Sequence, residues 1–303
     1  MFQKKSLGQN FLTSKPIAKS IVEAGRPNEN ETIVEIGPGK GFMTEEILKV
    51  SNKVIAIEKD HRLIPILEEK FKSEISSGKL RVIEADILEL DMSRTVLDIN
   101  GYKVIANIPY YITGQIIRKF LESDFQPSSM TMLVQKEVAE RIVARNKKES
   151  LLSLSVKVFG DPKIIRTVGR GAFSPAPNVD SAVLNIVNIS MKNFTIFSPI
   201  SIIPRVPLGI TSPVKKYPSK GSPWMVGESK KLEELEGVSP ELFFEVIHAG
   251  FAHKRKQLLP NLSSLYNKEK LVEIFNELNL DPKSRAEDIS LNVWLKICNL
   301  LLS

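Results

Sequence analysis

Short apolar runs recur through the first part of the chain, and the apolar positions between them fall at helical spacing. Ile33-Val34-Glu35-Ile36, Val54-Ile55-Ala56-Ile57-Glu58, Leu80 to Asp86 and Tyr102-Lys103-Val104-Ile105-Ala106 predict buried strands. Residues 42–48, a stretch ending near Phe71 and residues 112–122 predict helices. Strands alternating with helices make βαβ units, and hence a mainly parallel sheet. Ahead of them, Ser14 as N-cap with Pro16 behind it predicts a helix to about Gly25. Farther on, residues 130–134, 151–158 and 181–186 predict strands, and 136–145 a basic amphipathic helix. Phe173-Ser174-Pro175-Ala176-Pro177 predicts a stiff turn between the last two strands.

From Met191 to Val238 the periodicity fails. Pro199, Pro204, Pro207, Pro213, Pro218 and Pro223 fall in a stretch mixed with Ser, Gly and Lys, which predicts an irregular excursion or linker. Ser239-Pro240 then opens a helix to Phe251, and residues 268–278 and 290–302 predict two more. The expected division is 1–190 for an α/β domain with helices on both faces of its sheet, 191–238 for the insertion, and 239–303 for a small all-α domain.

Composition narrows the class. With 303 residues, 42% hydrophobic and 25% charged, the chain is an ordinary globular protein. No apolar run reaches membrane-spanning length and no signal-peptide core appears, so a protein without membrane contact is expected. A lone cysteine, Cys298, allows no internal disulfide and no cysteine-based zinc site, which predicts a reducing, cytoplasmic setting and no metal. The net charge of +7 is spread thinly, so it permits a polyanionic partner without establishing one.

The chemistry gathers at strand ends. Asn107-Ile108-Pro109-Tyr110 follows the fourth strand, where ligands bind in open α/β sheets. An amide and free carbonyls beside an aromatic ring suit the exocyclic amino group and face of a base. Taken alone, these residues are equally a turn. Gly37-x-Gly39-x-Gly41 ends the first strand and allows close approach of a ligand, but its spacing is not that of the pyrophosphate fingerprint. Glu58 ends the second strand, where an acid can accept from both ribose hydroxyls. Asp86 ends the third and could accept from an adenine amino group. Each acid alone is equally a solvated strand end. In series they outline a pocket for an adenosine bearing an amino acid, which describes S-adenosylmethionine.

With the fourth strand end included, a resemblance emerges. Gly8-Gln9-Asn10-Phe11-Leu12, Glu35 to Gly41, Glu58, Asp86 and Asn107 to Tyr110 resemble, in order, the motifs of class I S-adenosylmethionine-dependent N6-adenine methyltransferases. Phe173 to Val183 is similar to the family's F-x-P-x-P-x-V-x-S-x-V segment. Phe251 to Lys256 and Arg285-Ala286-Glu287 resemble the C-terminal domain of its ribosomal branch, the small-subunit (16S) rRNA adenine dimethyltransferases. The resemblance implies a Rossmann-like class I methyltransferase sheet and dimethylation of two adjacent adenosines in the loop of the 3′-terminal helix of that rRNA. It also implies a role in small-subunit biogenesis and action as a monomer.

Gln9, Asn10, Leu12, Gly37, Gly39, Glu58, Asp86 and Asn107 are then the expected cofactor contacts. Asn107, Pro109, Tyr110 and Phe173 are the expected catalytic set, with Tyr110 and Phe173 the candidates for sandwiching the flipped base, each of the two equally a core aromatic. Arg141, Arg145, Lys147, Lys148 and Lys254-Arg255-Lys256 are candidate RNA contacts, each one equally an ordinary solvated basic residue. The Pro-rich stretch 191–238 departs from the family, whose link at this point is short. Two rivals remain: a large-subunit rRNA adenine methyltransferase, and a non-catalytic RNA-binding assembly factor.

Overall fold

A computed structural model describes residues 11–96, 101–194 and 238–302. Residues 11–96 and 101–191 are built on a sheet of seven strands; the inner ones are short and largely apolar, as burial on both faces requires, and the two outermost are more polar and more exposed. The seven are β2 (Thr32–Ile36), β3 (Lys53–Glu58), β4 (Leu80–Glu84), β5 (Tyr102–Asn107), β6 (Ser129–Gln135), β7 (Asp161–Val168) and β9 (Ser181–Val187). Two further short strands, β1 (Phe11–Leu12) and β8 (Phe173–Ser174), pair antiparallel as a separate ribbon, with Leu12 opposite Phe173.

The sheet runs β4-β3-β2-β5-β6-β9-β7. Neighbours from β4 to β6 are parallel, while β9 pairs antiparallel with both β6 and β7. The chain therefore builds outward from β2 through β3 to β4, then returns to β2's other side as β5. The gap between the ends of β2 and β5 is the topological switch point, where such sheets bind ligands. Around the sheet are α1 (Lys15–Gly25), α2 (Phe42–Leu48), α3 (Ile64–Lys70), α4 (Lys72–Ser76), α5 (Met92–Val96), α6 (Thr113–Leu121), α7 (Lys136–Ile142) and α8 (Leu151–Lys157). Among the described residues, no helix is long and apolar enough to cross a membrane.

Two expectations are corrected. Residues 151–158, whose Leu/Ser alternation predicts a strand, fold as α8. Ser150 and Ser153 exchange side-chain and backbone bonds as a reciprocal cap, and the Ser155 hydroxyl donates to Leu151 O at 2.7 Å. Serines whose hydroxyls are satisfied within the helix can be buried, so the polar positions did not mark a solvent face. The missing strand is β7, an edge strand carrying Pro162 and an irregular register between Ile164 and Arg166. Edge strands tolerate both departures, which erase the period-two signal.

The described chain divides into two compact units, the second holding residues 192–194, 238–286 and 292–302, while Glu287–Leu291 groups with the first. The second unit contains α9 (Pro240–Phe251), α10 (Leu258–Leu262), α11 (Lys268–Glu277) and most of α12 (Leu291–Leu302). Ser239 caps α9 by accepting from Leu242 N, and Asn267 caps α11 from Lys270 N. Phe243, Phe275 and Trp294 are fully buried at its centre. Most of the Pro-rich insertion, residues 195–237, lies outside the described residues.

Candidate active site

The glycine turn is built from three residues with positive φ: Gly37 at 70°, Gly39 at 59° and Gly41 at 76°. The case for glycine is sharpest at Gly37, where a Cβ would lie 2.9 Å from the carbonyl oxygen of Asn107. The first and fourth strand ends therefore touch through bare backbone. Gly37 N donates to Ile57 O at 3.0 Å, which ties the turn to β3 as well.

Glu58 faces the same turn. Its carboxylate accepts from Gly39 N at 3.1 Å and from Asp60 N at 2.9 Å. Burial pushes its pKa up, and the two backbone N–H groups pull against that. Asp60, held by a bidentate bond to Arg62, shapes the loop beyond it. Asp86 lies just past β4, where its carboxylate accepts from Leu88 N at 2.9 Å and from Lys59 Nζ at 2.6 Å. Its pKa is lowered, because the Lys59 and backbone bonds together outweigh partial burial.

Asn107 is the last residue of β5 and half-buried. Among the described residues, nothing hydrogen-bonds its side-chain amide, so the oxygen is an acceptor in waiting. Ile112 N donates to Pro109 O at 3.2 Å, which commits that carbonyl to a helical turn; among the described residues the Ile108 carbonyl carries no such commitment. The Tyr110 hydroxyl is locked to Ser181 Oγ at 2.5 Å, which fixes the ring against β9.

These residues enclose one cavity of about 330 Å³. Leu12, Gly37, Gly39, Glu58, Asp86, Asn107, Pro109 and Tyr110 all line it. Gln9 and Asn10 lie outside the described residues. Phe173 is placed apart from the lining residues. Only 5% exposed, it packs in the core cluster with Leu12 and Val183 and does not line the cavity. Its strand β8 pairs with β1, which sets Phe173 opposite Leu12. The cavity's exposed aromatic is instead Tyr111, 60% accessible, which the sequence reading passed over as Tyr110's neighbour. Phe11 and Lys40 were missed too; Phe11 covers Gly39, and Lys40 Nζ stands 5.6 Å from its ring.

Beneath the turn sits Glu35, fully buried. One oxygen accepts from Thr44 Oγ1 at 2.7 Å; the other has no partner among the described residues. Burial raises its pKa to about 8, aided by repulsion from Glu58 and opposed by the Thr44 bond and Lys70. The folded chain therefore keeps a proton that the unfolded chain has lost, and stability falls as pH rises from about 4.5 to about 8. Glu35→Gln should flatten that fall, as urea midpoints across the window will show; an unaltered slope would place the titration elsewhere.

Among the described residues, no group of three or more His, Cys, Asp or Glu is placed to hold a metal. Of the basic candidates, Arg145 pairs with Glu140 and Lys148 with Asp288. Lys254-Arg255-Lys256 lie in the turn between α9 and α10 and not on a helix. There Arg255 and Lys256 share a shallow hollow with Lys283 and Arg285.

A parallel sheet reversed by a final antiparallel pair, with a glycine turn, two acids and an Asn-Ile-Pro-Tyr loop at its switch point, defines a class I methyltransferase. The chain matches ribosomal RNA adenine dimethylase over residues 2–196 and belongs to that family. A ribosomal RNA small subunit methyltransferase A from Dehalococcoides mccartyi is 36% identical over 297 residues, covering 97% of this chain and 87% of its own. One of the same name from Mycoplasmopsis pulmonis is 36% identical over 291 residues, 95% of each chain. Among solved structures, the 23S rRNA methyltransferase ErmE superposes with a TM-score of 0.69 at 20% identity, covering 97% of this chain and all of its own. A dimethyladenosine transferase from Plasmodium falciparum gives 0.69 at 21% identity, over 96% of each chain. At such identities these two structures establish the fold alone.

Proposed function

We propose that the chain transfers methyl groups from S-adenosylmethionine to N6 of adenosines in small-subunit rRNA, two to each base. The observation that carries this reading is the convergence of Gly37, Glu58, Asp86 and Asn107 on one cavity at the switch point. The donor set fits the cofactor: side-chain-free backbone at Gly37 and Gly39, a buried carboxylate at β3 for ribose hydroxyls, and a second acid beyond β4 for an adenine amino group. The acid at β3 would repel a 2′-phosphate. When bound, S-adenosylmethionine supplies an electrophilic methyl.

What the chain adds is position. An adenine N6 lone pair is delocalised into the ring and attacks poorly. The Asn107 side-chain oxygen and the Ile108 carbonyl accept its two hydrogens, biasing the nitrogen toward a tetrahedral geometry. Tyr110, clamped by Ser181, offers its ring to the extruded base. Orientation and preorganised acceptors then lower the barrier without a strong base, since the amino proton becomes acidic only after transfer. A second methylation needs the singly methylated nitrogen to keep one acceptor.

We assign the substrate as two adjacent adenosines of the 3′-terminal helix loop, modified in the cytoplasm during small-subunit assembly by a monomer. The Arg255, Lys256, Lys283 and Arg285 hollow suits phosphate contacts. The curated relatives favour this over large-subunit rRNA, which the ErmE likeness in fold leaves open. Primer extension on both rRNAs from cells lacking the protein tests it: unmethylated adenosines should appear in the small-subunit RNA only. Fully methylated rRNA in such cells would leave the non-catalytic assembly reading standing. Glu58→Ala should raise the dissociation constant for S-adenosylmethionine about tenfold or more, the order expected for a lost charge-assisted pair of bonds. Calorimetry decides, and an unchanged constant would remove Glu58 from the ribose site.

A further inference from the structure

Helix α3 brings two consecutive residues to the outside of the glycine turn. Lys70 Nζ donates to the carbonyl of Lys40 at 2.9 Å and lies 3.4 Å from that of Gly41. It also closes a 2.6 Å ion pair with Glu45 and stands 5.4 Å and 5.2 Å from the ring centroids of Phe42 and Phe71. Phe71 occupies the space a side chain at position 41 would need, since a Cβ there would come within 2.5 Å of its ring. One ammonium group thus grips the end of the turn and the opening of α2 together.

The local sequence explains why such a grip is needed. A helix start is ordinarily fixed by an N-cap side chain, but the N-cap of α2 is Gly41, which has none. Glycine is also the residue with the most backbone freedom to lose when a ligand orders it. Lys70 does not replace that cap, since an ammonium only donates, but it pins the carbonyls of Lys40 and Gly41 from outside. Its bonds are charge-assisted, and its side chain is only 31% exposed.

We propose that Lys70 is a positioning residue for the methyl donor, holding the Lys40–Gly41 end of the turn in its ligand-receiving shape. This rests on the reading of the cavity as the donor site. Lys70 does not line the cavity and takes no part in the transfer itself. Its nearness to Glu35 adds a second consequence, because it is the cation that favours the charged form of that buried acid.

The test uses the full chain with Lys70→Met, which keeps the apolar stem over the rings, and Lys70→Arg, which keeps the charge. Calorimetric titration with S-adenosylmethionine should show Lys70→Met weakening binding about tenfold, roughly 1.4 kcal/mol. The KM for the donor should rise in parallel, with kcat and the KM for RNA unchanged, and Lys70→Arg should recover most of the loss. Glu45→Gln, which leaves the carbonyl bonds in place, should change affinity by less than about threefold. If Lys70→Met does not fold, Lys70→Gln carries the same expectation at smaller size. Wild-type binding with unchanged affinity in the Lys70 variants would overturn the proposal alone, as would a uniform loss of donor affinity, kcat and RNA affinity that tracks the folded fraction. A wild-type chain that binds no S-adenosylmethionine would overturn the reading of the cavity, and this proposal with it.

Discussion

Asn107→Ala is expected to lower methyl transfer to small-subunit rRNA by about a thousandfold, the scale set by removing a preorganised polar group from a transition state. Affinity for S-adenosylmethionine should stay within about threefold of wild type, because the anchors proposed for the donor are Gly37, Glu58 and Asp86. The argument rests on geometry: the Asn107 amide ends β5 with its oxygen uncommitted to any described group, beside the Ile108 carbonyl and the clamped Tyr110 ring. Alanine keeps the strand and removes only the acceptor. Radiolabelled methyl transfer and calorimetry together test it. If donor binding disappears along with activity, Asn107 holds the cofactor and the role assigned here is wrong.

Gly37→Ala should have the second largest effect, and it should damage both functions at once. Its φ of 70° costs a non-glycine residue about 1–2 kcal/mol. The new Cβ would also lie 2.9 Å from the backbone oxygen of Asn107, and backbone at the end of a central strand cannot swing aside as a side-chain tip can. Relief has to displace the glycine turn or the Asn107 loop. Donor affinity should fall by about thirtyfold or more, about 2 kcal/mol, with kcat falling alongside. Gly114→Ala in α6 is the control: nothing lies within 4 Å of its Cβ and its φ is ordinary, so binding and transfer should be unchanged. Retained donor binding in Gly37→Ala would show that the two strand ends are less tightly coupled than their contact implies.

The parts of this site legible in sequence share a property. β2, β3 and β5 are buried on both faces, and their apolar runs stop where the chain must turn. The residue at each stop is therefore set by ligand or turn chemistry and stands out. Asp86 was legible for the same reason, although β4 itself ends at Glu84. Signals weakened wherever a residue's surroundings come from distant chain. Phe173 is equally a core or a site aromatic on local sequence, and only the fold shows it buried, opposite Leu12 in the β1–β8 pair. The buried serines of α8 imitate a strand because their satisfaction by local caps is invisible to a pattern of polar and apolar positions. Lys70 carries no motif, and only the approach of α3 to the glycine turn gives it a task.

By itself, the order of residues determined the alternation of strands and helices, the glycine turn, the acids at the ends of β3 and β4, and the Asn107–Tyr110 loop. These depend on backbone freedom, hydrophobic period and local chain chemistry, all encoded within a few neighbouring positions. The tertiary structure alone decided that Gly37 abuts the Asn107 carbonyl, that Tyr110 is clamped by Ser181, that Tyr111 lines the cavity while Phe173 packs in the core, and that Glu35 is buried with one oxygen unpaired among the described residues. Each of these depends on where distant parts of the chain come to lie. Which distant groups meet is settled by how the sheet is ordered and packed, a global free-energy balance that no single stretch contains.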